Sequence, residues 1–260
     1  MGALAERWLK GVPALKDVGL RVQLLASDIA SLDLAEVAEA LEETCMLAEQ
    51  AEPRAREVLS AAVPTLTDPA HDALVAQLRE SAQETGRLAL ARFLRRRAKP
   101  AAFPEPPPAP DHRHPGQSQV GKPLTLGERK ALARGRDRFV LDRLLRDPHP
   151  AVIKNVLSNA RITEDDVVRL AARRPTFPDV QAEIARHVRW SIRPRVRLAL
   201  VQNPFTPPSI SVPLLSLLVR PELDQVVAAT DIPAIVRGAA LDLLDRRPPV
   251  PLPEEPPETQ

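Results

Sequence analysis

The hydrophobic positions of the first third recur at helical spacing. Leu15, Val18, Val22, Leu25, Ile29 and Leu32 step by threes and fours, a narrow stripe that suits a bundle or coiled-coil seam, weakened slightly by Gly19. A second stripe, Leu34, Val37, Leu41, Cys45 and Ala48, follows Asp33, which can cap its helix while Glu36 reaches back. Pro53 opens a short helix to about Val63. Asp68-Pro69, an N-cap ahead of a proline at the first helical position, then starts a long helix with Leu74, Leu78, Leu88 and Phe93 on its apolar side, ended by Arg95, Arg96 and Arg97.

The pattern stops at Ala98. The run Pro104-Glu105-Pro106-Pro107-Pro108-Ala109-Pro110 favours extended polyproline II, and its neighbours are polar without a period. Residues 99–124 are therefore expected to be a disordered Pro-rich linker. It separates a helical bundle over 1–98 from a second domain over 125–247, and the two are expected to move independently. Residues 248–260, rich in Pro and Glu, are expected to form a disordered acidic tail.

The second domain repeats itself. A proline followed closely by an apolar or Val-Arg pair opens an apolar helix three times, with Val152, Val196 and Val236 lying 44 and 40 residues apart. Asn159 falls on Asn203, 44 residues on, and Pro178-Asp179-Val180 on Pro221-Glu222-Leu223, 43 on. Three short helices fill each period, near 150–158, 163–173 and 177–187, then 193–202, 207–218 and 221–229. A partial unit from Thr125 precedes them and a helix from Pro233 to about Arg246 closes the array. Thr125 with Glu128 forms a capping box, Thr163 with Asp166 a near version, and Thr206-Pro207-Pro208 puts a threonine cap before proline. A fixed period in this range marks a stacked array in which no single unit buries its own apolar face, so binding is the default expectation.

The residues Asp231, Pro233, Val236, Arg237, Ala239 and Leu241 in one copy, Pro194, Val196, Arg197 and Ala199 in another, and Asp147, Pro150 and Val152 in the first resemble the HEAT repeat. The three-helix period resembles its armadillo relative, and the bacterial leucine-rich-repeat-variant solenoids are similar. Lys154, after an extra Ile153, and Pro233, one residue further from its Val-Arg, depart from the pattern. The resemblance spans about 125–247. It implies an all-α protein, an N-terminal bundle followed by a short α-solenoid that binds partners along a concave face. It further implies that Arg197 and Arg237 join neighbouring repeats by pairing with Asp.

Composition narrows the classes. Tyr is absent and aromatics are 3% of the chain, which argues against a β-sandwich. A single cysteine, Cys45, excludes an internal disulfide framework and a thiolate metal cage within one chain, and fits a reducing cytoplasm. The N-terminus offers no secretory apolar core, and no run approaches the roughly 20 apolar residues of a membrane span. Arg outnumbers Lys 30 to 6, which reads as a GC-rich bacterial coding bias. The net charge of +2 hides an asymmetry: residues 1–100 carry 13 basic and 15 acidic side chains, and residues 125–247 carry 21 and 14. The second domain is the candidate for an acidic partner.

Arg186, Arg189, Trp190, Arg193 and Arg195, with Arg197 behind them, form the densest basic cluster. Two readings are open. Guanidinium groups track phosphates and an indole stacks on bases, as on the solenoid face of HEAT-like DNA-repair glycosylases; alternatively the arginines and Trp190 are structural or protein-binding. Arg143, Arg146, Arg173, Arg174, Arg246 and Arg247 sit at helix ends, where dipole complementation explains them. His112 and His114, on a flexible segment around Arg113, make a poor metal site. No Gly-rich phosphate loop or Gly-x-Ser-x-Gly elbow occurs, and no metal, cofactor or catalytic set is expected. The Pro-rich segment reads as a spacer or as a ligand for an aromatic-lined groove. The expected function is a non-catalytic scaffold or adaptor for protein partners, with a homodimer through the N-terminal bundle as one arrangement. Nucleic-acid binding and a regulatory enzyme subunit are the alternatives.

Overall fold

The computed structural model describes residues 1–95 and 124–248; the Pro-rich segment, with His112 and His114, and the tail from 249 lie outside the described residues. The described chain is all-α, with sixteen helices and no strand among those residues.

The N-terminal half holds α1 (Ala3–Ala14), α2 (Val18–Ser31), α3 (Leu34–Glu49), α4 (Pro53–Leu66), a 3₁₀ turn (Pro69–His71), α5 (Asp72–Glu84) and α6 (Leu88–Phe93). The sequence pattern does not anticipate α1, whose Trp8 is buried and donates its indole N–H to Asp28 Oδ2 on α2 at 2.8 Å. Asp17 caps α2, so that helix starts at Val18, three residues after the stripe's Leu15. Asp33 caps α3 through the N–H groups of Ala35 and Glu36, and Val37, Leu41, Cys45 and Ala48 are buried as expected. The expected long helix after Asp68 is broken. Gly86 takes a positive φ of 68°, the Arg87 N–H reaches the Ala82 carbonyl at 2.8 Å, and Leu88 is exposed rather than on an apolar face. This left-handed stop is the normal use of glycine just past a helix C-cap. The α3 end has the same bond pattern with Ala51 at φ 67°.

The C-terminal half holds α7 (Leu126–Leu132), α8 (Arg138–Leu144), α9 (Pro150–Leu157), α10 (Glu164–Ala172), α11 (Pro178–Arg186), α12 (Val188–Ser191), α13 (Pro194–Val201), α14 (Pro208–Leu215), α15 (Arg220–Ala228) and α16 (Ala234–Arg246). Both threonine capping boxes form, at Thr125 with Glu128 and at Thr163 with Asp166. Thr206 does not cap: Pro207 occupies the N-cap position, and the Thr206 hydroxyl is buried without a partner among the described residues.

The recurring proline-led helix completes a unit with the helices before it and also packs on a helix after it, α9 on α11 and α13 on α14. α9 packs on α7 and α8, α13 on α10 and α11, and α16 on α14 and α15. Residues 44 apart then do the same work. Asn159 Nδ2 donates to the carbonyls of Ala133 (2.9 Å) and Gly135 (2.7 Å) at the end of α7. Asn203 Nδ2 donates to those of Ala171 (2.6 Å) and Arg173 (2.9 Å) at the end of α10. In the third unit Arg247 reaches the carbonyls of Leu218 and Ser216 beyond α14. Helix ends leave carbonyls without intrahelical partners, and each clamp supplies donors to two carbonyls at or just past such an end from the residues that follow the last helix of its own unit. Arg247 therefore serves the neighbouring helix and not its own dipole.

The two halves are docked against each other, where the sequence pattern led to independent units. Their buried side chains form one continuous core. α4 lies at its centre, packing on α1, α2 and α3 and also on α11, α12 and α14. Every residue from Val58 to Leu66 is buried, as a helix that is apolar all round requires. Arginines staple the seam: Arg56 Nη2 to the Leu217 carbonyl (2.7 Å), Arg186 Nε to the Thr67 carbonyl (2.7 Å), Arg197 Nη2 to Ser60 Oγ (2.8 Å) and Arg246 Nε to Glu49 Oε2 (3.1 Å).

Candidate functional site

The basic cluster singled out in the sequence is divided by the fold. Trp190 is fully buried and donates its indole N–H to the Leu157 carbonyl at 2.8 Å, so its ring offers no platform for a base. Arg189 lies over that ring with its guanidinium carbon 4.2 Å from the centroid. Arg186 is spent on the seam. Arg195 pairs with Asp165 at 2.7 Å, and Arg193 stands 3.9 Å from Glu164. These two point at the acidic first turn of α10 and bridge it to α13. Arg197 makes no ion pair with Asp among the described residues. Its Nε and Nη2 serve the carbonyls of Ser191 (2.7 Å) and Ile192 (2.9 Å) besides Ser60. Arg237 likewise leaves its Nε buried and unpartnered. Pairing with Asp between units occurs elsewhere, between Arg138 and Asp166 (2.5 Å) and between Arg174 and Asp231, while Arg129 pairs with Asp147 (2.6 Å) within the first unit. Asp166 also accepts from the Thr163 N–H and hydroxyl and from Arg169. Arg138 beside it holds its carboxyl well below the usual carboxylate range.

The unspent positive charge lies on another face. Arg134, Gly135, Arg136, Asn155, Ser158, Asn159, Ala160 and Arg161 line a groove of about 540 Å³ that contains no carboxylate. The fold builds it from the clamp. Asn159 fixes the carbonyls on either side of Arg134, and its Oδ1 accepts the Arg161 N–H at 2.9 Å, so both turns are held in place. Arg134 Nε reaches Asn155 Oδ1 at 3.2 Å, while the side chains of Arg136 and Arg161 have no ion-pair partner among the described residues. The corresponding turn of the next unit, after α10, carries Arg173 and Arg174. Arg173, with Arg146 and Arg169, lines a second groove of about 560 Å³ that also holds Asp142 and Asp166. Burial and the nearby Arg146 lower the Arg173 pKa. The sequence pattern places Arg146 and Arg173 at helix ends and does not single out Arg134, Arg136 or Arg161, so their gathering in grooves is a finding of the fold.

Through Ser158 the first groove meets a third, of about 630 Å³, where Lys154, His187 and Arg186 face His71, Asp68 and the end of α4. Ser158 Oγ lies 3.3 Å from His187 Nε2. The pair lacks the parts of an activated nucleophile: Ser158 donates to the Lys154 carbonyl, and His187 Nδ1 is buried with no orienting group. Burial, then Arg189, lowers the His187 pKa to about 4. Among the described residues no cluster of three metal-ligating side chains occurs and no helix is long and apolar enough to cross a membrane. Cys45 is buried, and burial followed by Glu42 and Glu49 raises its thiol pKa.

No family model matches the chain, and neither the curated proteins nor the solved structures yield a match.

Proposed function

We propose that this chain is a protein-binding scaffold, a short HEAT- or armadillo-like array whose basic groove holds an acidic segment of a partner protein. The observation that carries this is the groove of Arg134, Arg136 and Arg161, which has three exposed guanidinium groups and no lining carboxylate. Exposed, uncompensated charge raises the encounter rate with an oppositely charged partner and sets its orientation. Lys154, at the junction with the next groove, extends the same sign of charge toward the N-terminal half. The docked halves favour one rigid body presenting this surface over two modules tethered at a distance.

Nucleic acid is the alternative occupant of a basic groove. Protein is favoured because the one aromatic in the predicted cluster, Trp190, is buried, and no aromatic lines the carboxylate-free groove. Single-strand binders depend on such stacking surfaces. The test is quantitative capture from native cell extract by the full chain and by R134E/R136E/R161E, read by mass spectrometry. Partners with acidic segments that are retained by the parent and lost by the variant support the assignment. Equal capture by both proteins, or loss of nucleic acid alone, overturns it.

A further inference from the structure

The seam between the halves holds a cavity of about 280 Å³, open to solvent on one side, lined by Val18, Arg21, Pro53, Arg56, Glu57, Ser60, Ala61, Ile192 and Arg197. Its charge does not balance. Arg21 is paired with Glu57 at 2.8 Å, the only carboxylate in the lining. Arg56 and Arg197 have no carboxylate partner among the described residues. Arg56 comes from α4 in one half and Arg197 from α13 in the other. Arg197 is buried and Arg56 half-buried at the seam, and buried arginines are rare unless paired. Burial first, then Arg56, brings the Arg197 pKa down to about 10, and burial lowers that of Arg56. Arg247 feels Arg56 in the same way, also to about 10, and Glu222 is the nearest compensating carboxylate for all three. That carboxylate is engaged by the Val219 N–H at 2.9 Å.

The donors are also only partly used. Arg56 gives Nη2 to the Leu217 carbonyl, and Arg197 gives Nε and Nη2 to Ser191, Ile192 and Ser60. Nη1 of each has no acceptor among the described residues. The Ser60 hydroxyl accepts from Arg197 and has its own proton to donate. We propose that this cavity is a binding site for a small phosphate-bearing anion, held by Arg56 and Arg197 from opposite halves with Ser60 as a third donor. Two guanidinium forks and a hydroxyl match the several oxygens of a phosphoryl group. The volume, roughly nine times the ~30 Å³ share of one water, accommodates a phosphate with a short substituent. A bound anion neutralises the repulsion across the seam and cross-links α4 to α13, so occupancy stabilises the docked arrangement.

The site is independent of the basic groove, and the experiment separates them. Thermal unfolding of the full chain is followed with increasing pyrophosphate or inorganic phosphate, against sodium chloride at matched ionic strength, with heteronuclear NMR titration as a second readout. The expected result is a saturable rise in Tm of a few degrees, with shifts at Ser60, Ile192 and their neighbours. In R56Q, a half-exposed position that tolerates exchange, the rise is at least halved, and in R197M it is lost. R134E/R136E/R161E retains the full response. If R197M does not fold, R56Q and S60A still decide the matter. The inference is overturned by a non-saturating rise equal to that of chloride, by an undiminished response in R56Q, or by loss of the response in R134E/R136E/R161E.

Discussion

Asn203→Ala removes a clamp whose cost can be worked from the structure. Asn203 is 1% exposed; its Nδ2 donates to Ala171 (2.6 Å) and Arg173 (2.9 Å), and its Oδ1 accepts the Phe205 N–H at 3.0 Å. The Ala171 carbonyl keeps a second donor, Gln181 Nε2 at 3.2 Å, so truncation strands chiefly the Arg173 carbonyl and the Phe205 N–H. At roughly 1–3 kcal/mol for each stranded group, with Arg173 near solvent, the loss is about 3 kcal/mol. For a chain of this size that corresponds to roughly 6–12 °C in Tm. N203D is the control of shape. It keeps an acceptor for Phe205 but turns a carboxylate toward two carbonyls, so its folded-state pKa is raised. Its deficit at pH 7 equals or exceeds that of N203A and shrinks as pH falls, when the protonated acid donates again. Urea unfolding at pH 7 and pH 5 measures both. A change in N203A under about 0.5 kcal/mol would refute the clamp.

Ala51 pays a left-handed backbone penalty at φ 67°, so A51G is expected to stabilise by about 0.5–1 kcal/mol, read by urea midpoint; destabilisation contradicts the assigned strain. His187 has a folded pKa lowered to about 4 against an ordinary value of 6.5. Its contribution is complete above pH 6.5 and is lost as pH falls toward 4, because the unfolded chain takes up the proton first. H187F is expected to flatten the stability profile between pH 6.5 and 4; an unchanged slope rejects burial as the cause. Asp166, depressed by Arg138, adds stability that persists above the unfolded carboxylate range and declines below about pH 4. D166N is expected to cost about 2 kcal/mol at pH 7, the exposure of Arg138 keeping it under the cost of a fully buried pair, and acid titration of the unfolding midpoint tests it.

The boundaries of the repeated helices were legible because local chemistry determines them. Proline at the first helical position marks α9, α11 and α13, and threonine boxes mark α7 and α10. The 44-residue spacing of Asn159 and Asn203 was legible too, but its extension to Arg247 was not, since an arginine does the work of an asparagine there. The docking of the halves was hidden for a different reason. Helical stripes reveal one buried face, whereas α4 is buried all round from Val58 to Leu66, and that mostly apolar run carries the message only when every face is counted. The Arg186–Arg195 cluster left two readings open because adjacency in sequence says nothing of partners. Thr67, Glu164 and Asp165 consume its charge, whereas Arg134, Arg136 and Arg161, spread over two turns, converge in space.

The proposed function rests on what the groove of Arg134, Arg136 and Arg161 holds. The most direct measurement is fluorescence anisotropy of the full chain with a labelled Asp/Glu-rich peptide and, separately, a labelled DNA duplex, at several salt concentrations. Saturable binding of the peptide, weakened about tenfold or more in R134E/R136E/R161E and stronger than duplex binding at physiological salt, is the predicted result. Peptide binding indifferent to the three reversals, or tighter duplex binding with a log-log salt slope of several units, contradicts it.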